Sequence, residues 1–105
     1  MDRQRRIEIF LQAAHRLAVS RLRADPGRMA EVRALLQRWR QQAGPNRSDL
    51  YWDEWEKLLA LPLDEFEHVI CADDEHATTL RSVSPIGVLI SEQERRQLLS
   101  EARGA

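Results

Sequence analysis

Residues 80–95 read Leu80-Arg81-Ser82-Val83-Ser84-Pro85-Ile86-Gly87-Val88-Leu89-Ile90-Ser91-Glu92-Gln93-Glu94-Arg95, and the order of types in this stretch decides the fold. A polar helix end gives way to Ser-Pro, then to five residues that are apolar or glycine, then to a helix start. Pro85 fixes its own φ and pushes Ser84 toward an extended backbone, so no α-helix runs through this point. Ser91 and Glu94 have the spacing of a capping box, in which the serine oxygen takes an orphan N–H and the glutamate reaches back. Ile86, Val88, Leu89 and Ile90 are too apolar to leave in water. The expected product is a short non-helical plug folded over a helical core.

Outward from the plug, the sequence is written in helical periods. Ile7, Phe10, Leu11, Ala14, Leu17, Ala18 and Leu22 form one stripe and predict a first helix over residues 2–23. Asp25-Pro26 restarts the chain, with aspartate as N-cap and proline at the first helical position. Met29, Val32, Leu35, Leu36 and Trp39 make a second stripe that Gly44-Pro45 stops, so an antiparallel helix pair is expected. Ser48 or Asp49 caps a third helix carrying Tyr51, Trp52, Trp55, Leu58 and Leu59. Pro62 ends it, Leu63, Phe66, Val69 and Ile70 begin another stripe, and Asp73-Asp74 marks the next break. A short helix through His76 to Arg81 leads into the plug, and Ser91 opens the last helix with Leu98 and Leu99 inward. The fold class is therefore all-α, a bundle of about five to six helices, in one domain over residues 1–105. Leu11, Leu35, Trp39, Trp55, Leu58 and Phe66 are expected in one core.

With 43% hydrophobic and 31% charged residues the chain is globular in composition, and four Gly with four Pro leave helix formers dominant. Cys71 has no partner for a disulfide, and no signal peptide is read, so a reducing cytoplasm is the expected compartment. The longest apolar run, residues 86–90, is far short of the ~20 residues a spanning helix requires, so no membrane role is expected.

The net charge of −1 hides a division. Residues 1–47 hold eleven arginines and four acids, a net of +7; residues 48–105 hold five basic residues and thirteen acids, a net of −8. Two such halves either dock on each other or present opposite surfaces to partners.

The residues that carry chemistry do not assemble a catalytic set. His68, Cys71, Asp73, Asp74 and His76 fall within nine residues and all are ligand types, but structural zinc sites show two close pairs and this cluster has one. Glu65-x-x-His68 has the spacing of one half of a di-iron motif, without the second half. Cys71 has acidic neighbours, which raise a thiol pKa, so a buried, inert thiol is expected. His15 is read as a helix-boundary residue. No phosphate-binding loop, dinucleotide fingerprint or nucleophile elbow occurs, so neither an enzyme nor a cofactor is expected.

Three blocks resemble one family. His15, Arg21-Leu22-Arg23-Ala24-Asp25-Pro26 and Trp39 look like its opening helix pair. Tyr51-Trp52-Asp53-Glu54-Trp55-Glu56-Lys57-Leu58-Leu59-Ala60-Leu61-Pro62-Leu63 resembles its central block, and Leu80-Arg81-x-x-Ser84-Pro85 with Ser91-x-x-Glu94-Arg95 its closing signature. The family is the small all-α module of prokaryotic antitoxin-type regulators, often behind a helix-turn-helix domain and encoded beside a toxin. This chain opens directly on the module, and Ile86-Gly87 stands where the family tends to an aromatic and a small residue. The resemblance implies a protein that neutralises or regulates a partner protein by contact. It makes Asp53, Glu54, Trp52, Arg81, Ser84 and Pro85 the candidate partner-contact residues. The acidic stretch over residues 49–75 leads to the expectation of a basic, toxin-like partner, captured by electrostatic steering, with a homodimer also open. The alternative is a nucleic-acid-binding regulator using Arg16, Arg21, Arg23, Arg38 and Arg40 of the first two helices, which the acidic second half does not favour.

Overall fold

The computed structural model describes residues 2–104. Six α-helices run in order: α1 (Arg3–Ala24), α2 (Met29–Ala43), α3 (Asp49–Leu59), α4 (Leu63–Ile70), α5 (Glu75–Ser82) and α6 (Glu92–Gly104). Two 3-10 turns, Pro26–Arg28 and Pro85–Leu89, punctuate them, and no strand occurs among the described residues.

Each boundary has a local cause. Asp2 caps α1 by accepting from the Arg5 N–H at 2.8 Å, which satisfies one of the first-turn donors. Asp25 behaves differently from the sequence expectation. It closes α1 and precedes the Pro26 turn without a side-chain cap bond, and α2 grows out of that turn at Met29. Gly44 ends α2 at φ 65°, a left-handed backbone that glycine takes without a Cβ penalty. Asp74 caps α5 through the Ala77 N–H at 2.7 Å. At α6 the capping box is complete: Ser91 Oγ accepts from Glu94 N–H at 3.1 Å, and Glu94 Oε1 accepts from Ser91 N–H at 2.9 Å.

The core joins the stripes of α1 to α5 with the plug. Trp55 and Phe66 are fully buried with ring centroids 6.0 Å apart, surrounded by Val19, Leu22, Val32, Leu36, Ile70, Leu80, Ile86 and Leu89. Trp55 Nε1–H donates to the Leu80 carbonyl at 2.9 Å, so the largest core side chain leaves no donor unmet. Of the expected core, Trp55, Leu58 and Phe66 are buried, whereas Leu11, Leu35 and Trp39 are half-buried at its margin. In α6 the buried residue is Ala102, with Leu98 and Leu99 half-exposed. The helix is light enough in apolar residues that it rests on the bundle rather than entering it.

The plug departs from expectation in two ways. Residues 85–89 are a 3-10 turn rather than irregular chain, with Pro85 in the first turn and Ser84 Oγ accepting from the Ile86 N–H at 3.1 Å. Its position also replaces the expected helix pair. α1 and α2 share the Pro26 corner but do not pack along their lengths; both rest instead on Pro85–Leu89. Burying Ile86 and Leu89 there gives α1 and α2 a common apolar floor.

Candidate functional site

The polar groups beneath the plug are built from α1 outward. His15 follows Leu11 and precedes Ala18 on the buried stripe, which carries it into the core at 2% exposure, not to a helix boundary. Its Nδ1 lies 2.7 Å from the Leu11 carbonyl, which only accepts, so Nδ1 carries the proton. Its Nε2 then accepts from the Ser84 hydroxyl at 2.7 Å. Burial holds the imidazole down at about 4, opposed by the Leu11 hydrogen bond and reinforced by the Arg81 charge. Ser84 and His15 thus stand in the order of a hydrolytic pair. However, Ser84 Oγ is committed to the turn, and so weak a base gains little from it. The pair is a clamp that fastens the plug to α1.

Arg81 is 3% exposed and donates from Nη1 to the carbonyls of Ile70 (2.8 Å) and Ala72 (2.7 Å), and from Nη2 to Thr78 Oγ1 (3.2 Å). It closes the C-terminal end of α4, whose carbonyls lack helical partners, rather than holding the plug itself. The plug's second fastening is Arg21, which donates to the Leu89 carbonyl at 3.0 Å and to Glu94 at 2.8 Å. Glu94 is held down at about 2, first by the Ser91 N–H and then by Arg21 and the Ser91 hydroxyl.

Placement divides the sequence-derived candidates. Trp52 (9% exposed), Arg81 and Pro85 are inside the protein, so they build the fold and offer a partner almost no surface. Ser84 is half-buried and spent on His15 and the turn. Asp53 pairs with Arg40 at 2.6 Å and Glu56 with the same guanidinium at 3.2 Å, while Glu54 meets His76 at 2.7 Å. Arg23 takes Asp64 (2.7 Å) and Glu67 (2.6 Å). The two charged halves therefore dock on each other, arginines of α1 and α2 on carboxylates of α3 and α4. Asp53 and Glu54 keep part of their surface in solvent while so paired. The proposed arginine face is broken by the same pairs: Arg21, Arg23 and Arg40 are engaged, and only Arg16 and Arg38 of that set make no ion pair among the described residues.

The ligand-type residues near His68 do not converge. Among the described residues no three His, Cys, Asp or Glu side chains gather as a metal site, and His76 turns to Glu54. Cys71 is half-buried rather than buried; burial pushes its thiol up, with the nearby Glu67 adding to the shift.

Two surface features were not read from the sequence. An open groove of about 360 Å³ between α1 and α6 has Ile7, Leu99 and Ala102 as its apolar floor and Arg3, Arg6 and Arg103 around it. These three arginines make no ion pair among the described residues, and Ile7 is 39% exposed. A narrower cleft of about 190 Å³ lies where α1 meets the plug, lined among others by Phe10, Ala14, His15, Arg81, Ile86 and Ile90. No described helix is long and apolar enough to cross a membrane. Comparisons with protein-family models, curated proteins and solved structures found no match to this chain.

Proposed function

We propose that the chain is a non-catalytic, antitoxin-like interaction module of the bacterial or archaeal cytoplasm, which neutralises or regulates a partner protein by direct contact. The resemblance of its three sequence blocks supplies the class, and the groove between α1 and α6 supplies the surface. The observation that carries the reading is the combination in that groove of an apolar floor with three arginines that make no ion pair among the described residues. Elsewhere in α1 and α2, Arg21, Arg23 and Arg40 are engaged in ion pairs between elements, and Arg16, Arg33 and Arg38 make none among the described residues. Unpaired guanidiniums around exposed apolar surface are the ingredients of an interface centre, since arginine is enriched there and forks onto carboxylates. In this reading the partner meets the groove with acidic and apolar side chains, in place of the basic partner that the acidic stretch suggested.

The test is co-purification of the chain with the product of the adjacent gene, in the native form and as the double variant Ile7→Glu, Arg6→Glu. Both positions are exposed, so the fold is expected to survive, as circular dichroism would verify. Loss of co-purification supports the groove, and an undisturbed complex overturns it. Tight, steeply salt-dependent binding to random duplex would instead establish the nucleic-acid reading.

A further inference from the structure

Arg81 is a full positive charge inside the protein, and every acceptor it meets is neutral: the carbonyls of Ile70 and Ala72 and the hydroxyl of Thr78. Its Nε–H has no acceptor among the described residues. A buried charge is ordinarily matched by a counter-charge, because desolvation penalises the ion and hydrogen bonds to neutral groups offset only part of that cost. The titratable group beside it, His15, is neutral and already satisfied by Leu11 and Ser84.

Arg81 lines the cleft between α1 and the plug, whose wall is apolar: Phe10 and Ala14 from α1, Ile86 and Ile90 from the plug. A second cation, Arg95, also lines it, with its guanidinium 5.9 Å from the centre of the Phe10 ring. No carboxylate lines the cleft. Size and chemistry together narrow the occupant. A cavity near 150 Å³ accommodates benzene, so about 190 Å³ accepts a six-carbon ring or chain bearing one small polar group. An amine would be repelled by two guanidiniums, and a bare inorganic anion would leave the apolar wall unused.

We propose that this cleft binds a compact apolar monocarboxylate, its body against Phe10, Ala14, Ile86 and Ile90 and its carboxylate supplying the counter-charge that Arg81 lacks. Such a ligand touches α1 and the plug at once, so occupancy is coupled to how firmly the plug is seated. The inference is independent of the partner groove between α1 and α6.

The experiment is calorimetric titration of the whole chain with benzoate, with its neutral isostere benzamide and with acetate, each at one pH and salt concentration. Benzoate is expected to bind once per chain and to raise the melting temperature. Benzamide, lacking the charge, and acetate, lacking the body, are each expected to bind roughly tenfold more weakly or worse, the first through loss of a charge-assisted hydrogen bond and the second through loss of buried apolar area. In NMR titration the Arg81 Nε–H resonance should move with benzoate. Arg81→Met should erase the preference for benzoate over benzamide. Because that variant also loses three hydrogen bonds, Gly87→Leu provides an independent test. Gly87 lines the cleft, its backbone φ is not positive, and an added Cβ meets no atom within 4 Å. A folded Gly87→Leu protein should bind benzoate at least roughly tenfold more weakly. Equal affinities for benzoate and benzamide, acetate binding as tightly as benzoate, or undiminished binding by folded Gly87→Leu would each overturn the proposal.

Discussion

His15 shows how one buried side chain sets the response of the protein to acid. In the unfolded chain this imidazole takes a proton near its ordinary 6.5; in the folded site it does so only near 4. Between those values the unfolded state binds more protons, so stability rises with pH across that window. The contribution is complete above 6.5 and is withdrawn as pH falls toward 4, a loss on the order of 3 kcal/mol at about 1.4 kcal/mol per pH unit. Melting temperature should therefore fall between pH 7 and pH 5. His15→Gln, which keeps hydrogen-bonding capacity without a titrating group, should flatten that fall, and an unchanged slope would show that other groups set it. Trp55 is the other decisive residue. Trp55→Ala should cost ~3–5 kcal/mol in urea unfolding, because the indole is wholly buried and its loss also strands the Leu80 carbonyl. Trp55 was legible from helical spacing, and His15 could have been, since Leu11, His15, Ala18 and Leu22 recur at four-, three- and four-residue steps. What no spacing reveals is whether a polar residue on such a stripe finds acceptors. That depends on Leu11 and Ser84, which lie 4 and 69 residues away.

Element ends were the most readable level of this sequence. The Ser91–Glu94 box and the Gly44 stop act within four residues, so type and spacing place them; Asp74, legible only as a break, caps α5, whereas Asp25 and Ser48 make no side-chain cap bond. Ser91→Ala should cost ~1 kcal/mol, measured by chemical denaturation, by leaving the Glu94 N–H without its side-chain acceptor. A cost indistinguishable from zero would mean that water replaces the serine oxygen. The arrangement of whole elements was less readable. Asp25-Pro26 signals a corner between α1 and α2, and a corner is there, but nothing local says that the two helices will part to admit Ile86 and Leu89. Three of the candidate contact residues lie inside for the same reason. Trp52, Arg81 and Pro85 stand out by type, and the fold uses those types inside.

For the molecule as a whole, the charge asymmetry is partly met by pairs between the two halves. Arg23 and Arg40 each bridge two carboxylates of the opposite half, and Arg21 reaches Glu94. Each exposed pair contributes at most ~1 kcal/mol and is screened by salt. Raising sodium chloride tenfold from a dilute buffer should therefore lower the melting temperature modestly, and Asp53→Lys with Glu54→Lys should remove part of that sensitivity while loosening α3 from α2. A melting temperature insensitive to salt in both proteins would mean that the pairs contribute nothing. The plug's fastenings have a further consequence, in time rather than energy. His15 to Ser84 spans 69 residues, Arg21 to Leu89 spans 68, and Arg21 to Glu94 spans 73. Closing a chain segment of that length costs roughly 4 kcal/mol of entropy before any of these bonds forms. During synthesis α1 is made before the elements it packs on, and its contacts with α4 and α5 are available before those with the plug. The bonds that seat the plug on α1 therefore form only after residues 84–94 are made, and a chain halted before Ser84 should be cut by proteases within α1 more readily than the whole chain is.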